Sequence, residues 1–335
     1  MNHDVRIFVA GGDTLYGHAL IDLLRAEGFT NLVGAGADEP NPTRPAAVES
    51  FFAATKPEVV LLCAGKSGGI GLNRARPVEL MRDNLLATTT VLDAAHRYGV
   101  TKLLYLASSC AYPKHAPQPL AVESLGTGPM EPTSEAYSTA KFAGWKLCEA
   151  YRREYGCRFI TGFPANAFGP NDDFSADGGH VIPALIRRAH DAKKQSAPEL
   201  VVWGSGTPRR EFVYSRDLAR ACLFVAEHYE SEEPINLGGG TDASIADVAR
   251  AVADVVGFRG QLRFDATQPD GAPLKALNSA PLLEMGWRPE TDFRAALAET
   301  YAWFLRHHTT EISSKFHVSC REGAENVYLG RNGST

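Results

Sequence analysis

Short apolar runs alternate with longer amphipathic stretches along the first two-thirds of the chain. This alternation predicts repeated strand–helix–strand units built on a parallel sheet. The predicted strands are VRIFVA (5–10), NLVGAG (31–36), EVVLLCA (58–64), KLLYLAS (102–108) and CRFITGF (157–163). Between them apolar positions recur at helical spacing, most clearly over 77–99 and 134–156. From about residue 170 the pattern loosens, and Gly/Pro/Asp-rich segments such as FGPNDDFSADGGH interrupt shorter elements. A first domain over 1–168 and a smaller α/β lobe over 169–308 are therefore expected, with strands of the second free to return to the first. A helix is predicted over 292–308, and the aperiodic, apolar-poor residues 309–335 read as an extended arm or disordered tail.

Composition narrows the partners more than the fold. The 335 residues carry a formal charge of −5, from 34 basic and 39 acidic residues without long runs. That gives no electrostatic footprint for nucleic acid or an anionic membrane, so an anionic ligand must be met by a local cluster of cations. No apolar run approaches the roughly 18 residues of a membrane span, and the N-terminus runs straight into a strand. A cytoplasmic location is expected. Six cysteines, at 63, 110, 148, 157, 222 and 320, are scattered without a C-x-x-C pair or metal-ligand spacing, so reduced thiols and no metal are expected.

The stretch VAGGDTLYGHAL (9–20) follows the first predicted strand and opens a helix. In a Rossmann-type doubly wound sheet this turn receives a dinucleotide's pyrophosphate on free backbone N–H groups at the helix N-terminus. Its glycines are Gly11, Gly12 and Gly17, while the position where a G-x-x-G-x-x-G loop has its middle glycine holds Thr14. Taken alone, a phosphate cradle and a plain strand–helix turn fit this loop equally well.

Three further features carry chemistry. Tyr137 and Lys141, in YSTAK, stand four apart on a predicted helix and so share a face. A phenol of ordinary pKa near ~10 is a poor acid–base group at neutral pH, and a neighbouring ammonium favours its ionised form. In LASSCAYPK, strand alternation would turn Ser108 and Cys110 to one side and Ser109 to the other, offering a hydroxyl and a thiol to one ligand. Singly, Ser108 also reads as a strand-end cap and Cys110 as a buried apolar cysteine. His180 precedes a helix opened by Pro183, after a Gly/Asp-rich loop able to carry it over the sheet edge.

Together these segments make the chain resemble the extended short-chain dehydrogenase/reductases, and within them the GDP-L-fucose synthases. The resemblance rests on CAGKSGGIGLNRARP (63–77), SSCAYPK (108–114), EPTSEAYSTAKFAG (131–144), FGPNDDFSADGGHVIPALIRR (168–188), VWGSGTPRREFVYSRDLA (202–219) and DGAPLKALN (270–278). It covers both lobes and leaves only the tail outside. It implies a reductase centre of Ser108, Tyr137 and Lys141, with Cys110 and His180 as an epimerisation acid–base pair. The chemistry agrees. A 4-keto group acidifies the hydrogens on both neighbouring ring carbons, donors such as Ser108 and Tyr137 hold the enolate oxygen, and a thiol near ~8.5 and an imidazole near ~6.5 move protons near neutral pH. The cofactor would lie on Gly11, Gly12, Asp13, Thr14, Leu15, Gly17, Asp38, Ala64, Lys141, Pro164 and His180. The substrate diphosphate would meet Arg188, Arg210 and Lys275, with Trp203 against the guanine. Arg187 and Arg209 read as solvated surface residues.

The chain departs from the family at the adenosine end. Asp13 stands where a basic residue is usual, and the second strand is followed by GADEP, which offers Asp38 instead of an arginine for the 2′-phosphate of NADP. The resemblance implies NADP(H), whereas Asp13 and Asp38 suit the free ribose diol of NAD(H). The function expected is conversion of a GDP-4-keto-6-deoxy-sugar, foremost GDP-4-keto-6-deoxymannose, to GDP-L-fucose or a close relative. The alternatives are an enzyme for another GDP-keto-sugar such as a heptose, one limited to epimerisation or reduction, or a catalytically silent protein on the same fold. A homodimer pairing through helices 77–99 and 134–156 is expected from the superfamily.

Overall fold

The structure is a computed structural model describing residues 1–175, 179–239, 242–268 and 270–319, with 309–319 described as backbone only. In chain order the first half holds β1 (Ile7–Ala10), α1 (Leu15–Ala26), β2 (Leu32–Val33), α2 (Pro45–Thr55), β3 (Val59–Leu62), α3 (Ile70–Ala75), α4 (Pro77–Arg97), β4 (Lys102–Leu106), α5 (Glu135–Tyr155) and β5 (Phe159–Pro164). Next come β6 (Asn166–Phe168), α6 (Val181–Lys194), β7 (Glu199–Trp203), β8 (Arg209–Tyr214), α7 (Ser215–His228) and β9 (Ile235–Leu237). The chain continues through β10 (Asp242–Ser244), α8 (Ile245–Val256), β11 (Gln261–Asp265), β12 (Leu274–Lys275), α9 (Ala280–Glu284) and α10 (Phe293–Ser319).

Six strands form one parallel sheet in the order β2-β1-β3-β4-β5-β9. The central strands β1, β3 and β4 are buried along their whole length, as expected of strands covered on both faces. The covering helices pack in pairs, α4 against α5 and α1 against α7. Because every strand runs the same way, the residues after β1, β3, β4 and β5 meet at one edge. The crevice falls between β1 and β3, where the strand order reverses.

The second lobe has its own core, in which Phe168, Phe174, Leu185, Val252 and Phe304 are buried together. Its strands are β8, flanked by β6, β10 and β12, and a separate β7–β11 pair. The strand β9 and the helix α7 belong to the first sheet and its cover, so each lobe is discontinuous in sequence.

Two expectations need correction. The second strand, expected over 31–36, is a two-residue edge strand, since Gly34 adopts a left-handed φ of 67° that ends the extended run. The last helix continues as far as Ser319, well past the predicted end at 308. Neither Gly nor Pro interrupts TTEISSKFHVS, so nothing there stops a helix already nucleated against the second core. The rest of the expected tail, from 320, lies outside the described residues.

Candidate active site

The glycine loop closes tightly on the sheet. Gly11 has φ +92°, and a Cβ there would fall 2.5 Å from the Ala64 backbone nitrogen; at Gly17 a Cβ would fall 2.0 Å from the Gly11 carbonyl oxygen. Thr14 is no defect in this loop. It is the N-cap of α1, its hydroxyl accepting from the Gly17 N–H at 3.0 Å and donating to the Gly11 carbonyl at 2.7 Å. Leu15 begins the helix behind it.

The carboxylate that reaches this loop is Glu39, which sequence reasoning missed. Its two oxygens accept from the backbone N–H groups of Gly11 at 2.6 Å and Gly12 at 3.0 Å. Burial pushes its pKa up against the loop N–H bonds, and the charges of Asp13 and Asp38 push it further. Asp13 and Asp38 themselves are exposed. The sequence offered GADEP as a carboxylate-bearing turn but not which of two neighbours would fold back. The N–H groups of Gly11 and Gly12 thus point out of the loop to one carboxylate, the arrangement of donors with which a helix N-terminus meets a phosphate.

At the end of β4 the pleat stops at Leu106, so strand alternation is not what brings Ser108 and Cys110 together. Residues Ser109–Ala111 form a 3₁₀ turn with Ser108 as its N-cap, and the Ser108 hydroxyl accepts from the Cys110 N–H at 3.2 Å. Ser109 turns inward and is buried. The Cys110 thiol is half-buried and accepts from Lys275 Nζ at 3.4 Å. Burial alone would raise its pKa; the Lys275 charge and the hydrogen bonds from Ser108 and Lys275 outweigh it, and the net shift is downward.

Tyr137 and Lys141 are both buried on α5. Burial and the neighbouring Cys110 push the phenol well up, opposed by a hydrogen bond with Ser108. Lys141 does not lower it here, contrary to expectation. Its ammonium turns away to the Leu106 carbonyl at 3.1 Å and lies 5.3 Å from the Tyr105 ring centroid. Burial pushes Lys141 down to about 8, with Cys63 opposing. Pro164 ends β5 beside this edge.

His180 is the N-cap residue of α6, which starts at Val181, two residues before Pro183. The residue is exposed. Desolvation there lowers its pKa, Asp173 raises it and Lys275 lowers it.

Arg187, Arg188, Arg209 and Arg210 divide into two pairs. Arg187 and Arg209 are spent on carboxylates, Asp191 at 3.7 Å and Asp242 respectively. Arg188 and Arg210 have no carboxylate within ion-pair distance among the described residues. Arg188 donates to the Ala184 carbonyl at 3.2 Å and lies 5.6 Å from the Trp203 ring centroid. Arg210 donates to the carbonyls of Arg209 at 2.8 Å and Ala272 at 2.6 Å. Desolvation lowers the pKa of both guanidiniums, opposed at Arg210 by the charge of Asp270, so both are half-buried charges. Trp203, 65% exposed at the end of β7, presents an aromatic face to solvent beside Arg188.

The NAD dependent epimerase/dehydratase family model matches residues 7–238. The chain is 47% identical to GDP-L-fucose synthase 1 of Arabidopsis thaliana over 302 residues, which is 90% of this chain and 94% of that one. A GDP-L-fucose synthetase of Naegleria fowleri, solved with NADP, superposes with a TM-score of 0.86 at 30% identity, covering 92% of this chain and 97% of that one. A GDP-6-OMe-4-keto-L-xylo-heptose reductase from C. jejuni gives a TM-score of 0.85 at 29% identity, over 91% and 99%. With the glycine loop, the Ser108–Tyr137–Lys141 set and these likenesses along both lobes, the chain belongs to the NAD dependent epimerase/dehydratase family, in its GDP-L-fucose synthase branch.

Proposed function

We propose that this protein is a bifunctional epimerase–reductase that takes GDP-4-keto-6-deoxymannose to GDP-L-fucose with NADPH. The observation that carries the reading is the placing of Cys110 and the buried phenol Tyr137 about the one hydroxyl of Ser108, which accepts from the Cys110 backbone N–H at 3.2 Å. A centre that only reduced a ketone would have no task for the thiol.

The dinucleotide would lie on Gly11, Gly12, Thr14 and Gly17, with Lys141 at the nicotinamide ribose. NADP is the cofactor solved with the Naegleria relative, and the loop N–H groups of Gly11 and Gly12 already donate to a carboxyl group. When bound, the nicotinamide supplies the hydride that reduces C4.

The chain's own residues do the rest. Arg188 and Arg210 hold the diphosphate, and Trp203 packs on the guanine. Ser108 and Tyr137 donate to the C4 oxygen, so that negative charge developing there as C3 or C5 loses its proton is met by fixed donors. Cys110 and His180 exchange protons with the ring carbons from opposite faces. Once the stereocentres are inverted, Tyr137 gives its proton to the C4 oxygen. Its raised pKa suits this, since burial keeps the phenol in its donor form at neutral pH.

We read this enzyme as cytoplasmic and as a homodimer; the dimer is supported by Val78 and Leu86, apolar residues exposed on α4. Among the described residues no helix is long and apolar enough to cross a membrane. The test of the substrate is a panel of GDP-keto-sugars with NADPH. Turnover of the 6-deoxymannose derivative in preference to a keto-heptose supports the proposal; turnover of the heptose alone overturns it.

A further inference from the structure

Lys275 was expected at the substrate diphosphate, but its amine is engaged with the chemistry instead. Nζ donates to Cys110 Sγ at 3.4 Å, across 165 residues of chain. The backbone that carries it is tied down on three sides. β12 pairs with β8 in parallel, with Lys275 opposite Arg210. Leu277 N–H donates to buried Glu211 at 2.7 Å, and Ala276 N–H to Gln118 at 3.1 Å. The Leu120 N–H in turn donates to the Ala276 carbonyl at 2.8 Å. The segment that delivers the cation is thus locked to the loop that follows Cys110.

We propose that Lys275 is the positioning residue of Cys110, its ammonium holding the sulfur as a thiolate and fixing where that thiolate points before substrate arrives. The assignment rests on the epimerase reading of Cys110 given above. Among the described residues the other ionisable groups facing the thiol are the phenols of Tyr137 and Tyr16, neither of which favours a thiolate, and Ser108 contributes a neutral hydroxyl. Among the described residues Lys275 is the cation that acts on this sulfur. Its charge also reaches His180, where it opposes protonation while Asp173 promotes it. One lysine thereby favours the deprotonated form at Cys110; at His180 it adds to the desolvation that lowers the pKa, against the opposing charge of Asp173.

The proton step then balances. A ring C–H bond breaks as S–H forms on Cys110, the electron pair moves to the C4 oxygen held by Ser108 and Tyr137, and a proton from the His180 imidazolium forms the new C–H bond on the opposite face. Exchange with solvent restores thiolate and imidazolium for the second carbon.

The experiment is alkylation of Cys110 by iodoacetamide against pH, without substrate, followed on the Cys110 peptide by mass spectrometry. Lys275→Met keeps the apolar stem and removes the charge; Lys275→Arg restores a cation. The wild type is expected to react with a midpoint below the ordinary thiol value of ~8.5. In Lys275→Met the rate at pH 7 is expected to fall about tenfold, reflecting a smaller thiolate fraction, with Lys275→Arg recovering most of it. Near-UV circular dichroism identical to wild type establishes that the variant is folded. An unchanged alkylation profile in folded Lys275→Met, with only KM raised, overturns the proposal and returns Lys275 to the diphosphate. Solvent-deuterium incorporation into the GDP-keto-sugar is measured on the same wild-type protein. Its absence alongside a shifted thiol profile refutes the epimerase reading and leaves the Lys275–Cys110 coupling standing.

Discussion

The carboxylate of Glu39 lies 2.6 Å from the backbone nitrogen of Gly11, on the donors that a dinucleotide phosphate would use. A bound phosphate and this carboxylate compete for the same N–H groups, with Asp13 and Asp38 adding like charge. Neutralising Glu39 is therefore expected to tighten NADPH, and by more than it tightens NADH, because NADPH carries the additional 2′-phosphate. Glu39→Gln should lower the Kd for NADPH about three- to tenfold, the size of a partly exposed charge interaction of roughly 1 kcal/mol. Paired calorimetric titrations of wild type and variant with both nucleotides read this directly. The raised pKa of Glu39 gives the same direction in wild type, since protonation on lowering pH weakens its hold on the loop.

Lys141 should cost the cofactor-free protein stability at neutral pH. Burial lowers its pKa from an ordinary 10.5 to about 8, so between those values the unfolded chain binds more protons than the native one. Stability linked to this group therefore rises with pH across that window, and the penalty is full below it. Lys141→Met is expected to raise Tm at pH 7 while abolishing reduction, with the gain in Tm shrinking as pH rises past 8. Thermal melts of cofactor-free protein at several pH values test the sign.

Arg188 and Arg210 should matter for substrate where Arg187 and Arg209 do not. Each of the first two is half-buried without a carboxylate partner, and a hydrogen bond to a charged ligand contributes about 1.5–3 kcal/mol. Arg188→Ala and Arg210→Ala are expected to raise KM for the GDP-sugar roughly ten- to a hundredfold, while Arg187→Ala and Arg209→Ala stay within about threefold. Trp203→Ala should follow Arg188→Ala more weakly, because it removes both the guanine contact and the ring beside Arg188.

Thr14 is expected to matter for stability rather than for chemistry. Its hydroxyl caps α1, and loss of such a cap costs about 1 kcal/mol, whereas glycine at an N-cap costs only a few tenths. Thr14→Ala should thus lower the midpoint of urea unfolding measurably and Thr14→Gly much less, with kcat at saturating NADPH unchanged in both.

The pattern of apolar runs carried the parallel sheet and the positions of α4 and α5 to within two residues, because strands buried on both faces and helices with one apolar stripe leave strong periodicities. Tyr137 and Lys141 were legible as a pair because helical geometry puts positions four apart on one face. Ser108 and Cys110 do meet, but through a 3₁₀ turn rather than a pleat. Strand alternation reached the same juxtaposition for a reason that ends at Leu106. Glu39 and Lys275 were not legible in their roles. Which of two adjacent carboxylates folds back on a loop is decided by local backbone direction, and a lysine 165 residues from the thiol it meets is placed by strand pairing in the other lobe.

Incubation of the protein with GDP-4-keto-6-deoxymannose and NADPH in deuterated water, with the product read by NMR, measures epimerisation and reduction together. Deuterium at both C3 and C5 of a product with the L-fuco configuration, formed as NADPH is consumed, is the outcome expected of Cys110, His180 and Tyr137 acting in sequence. Reduction without deuterium at either carbon, or no reaction by folded protein that binds NADPH, would contradict it.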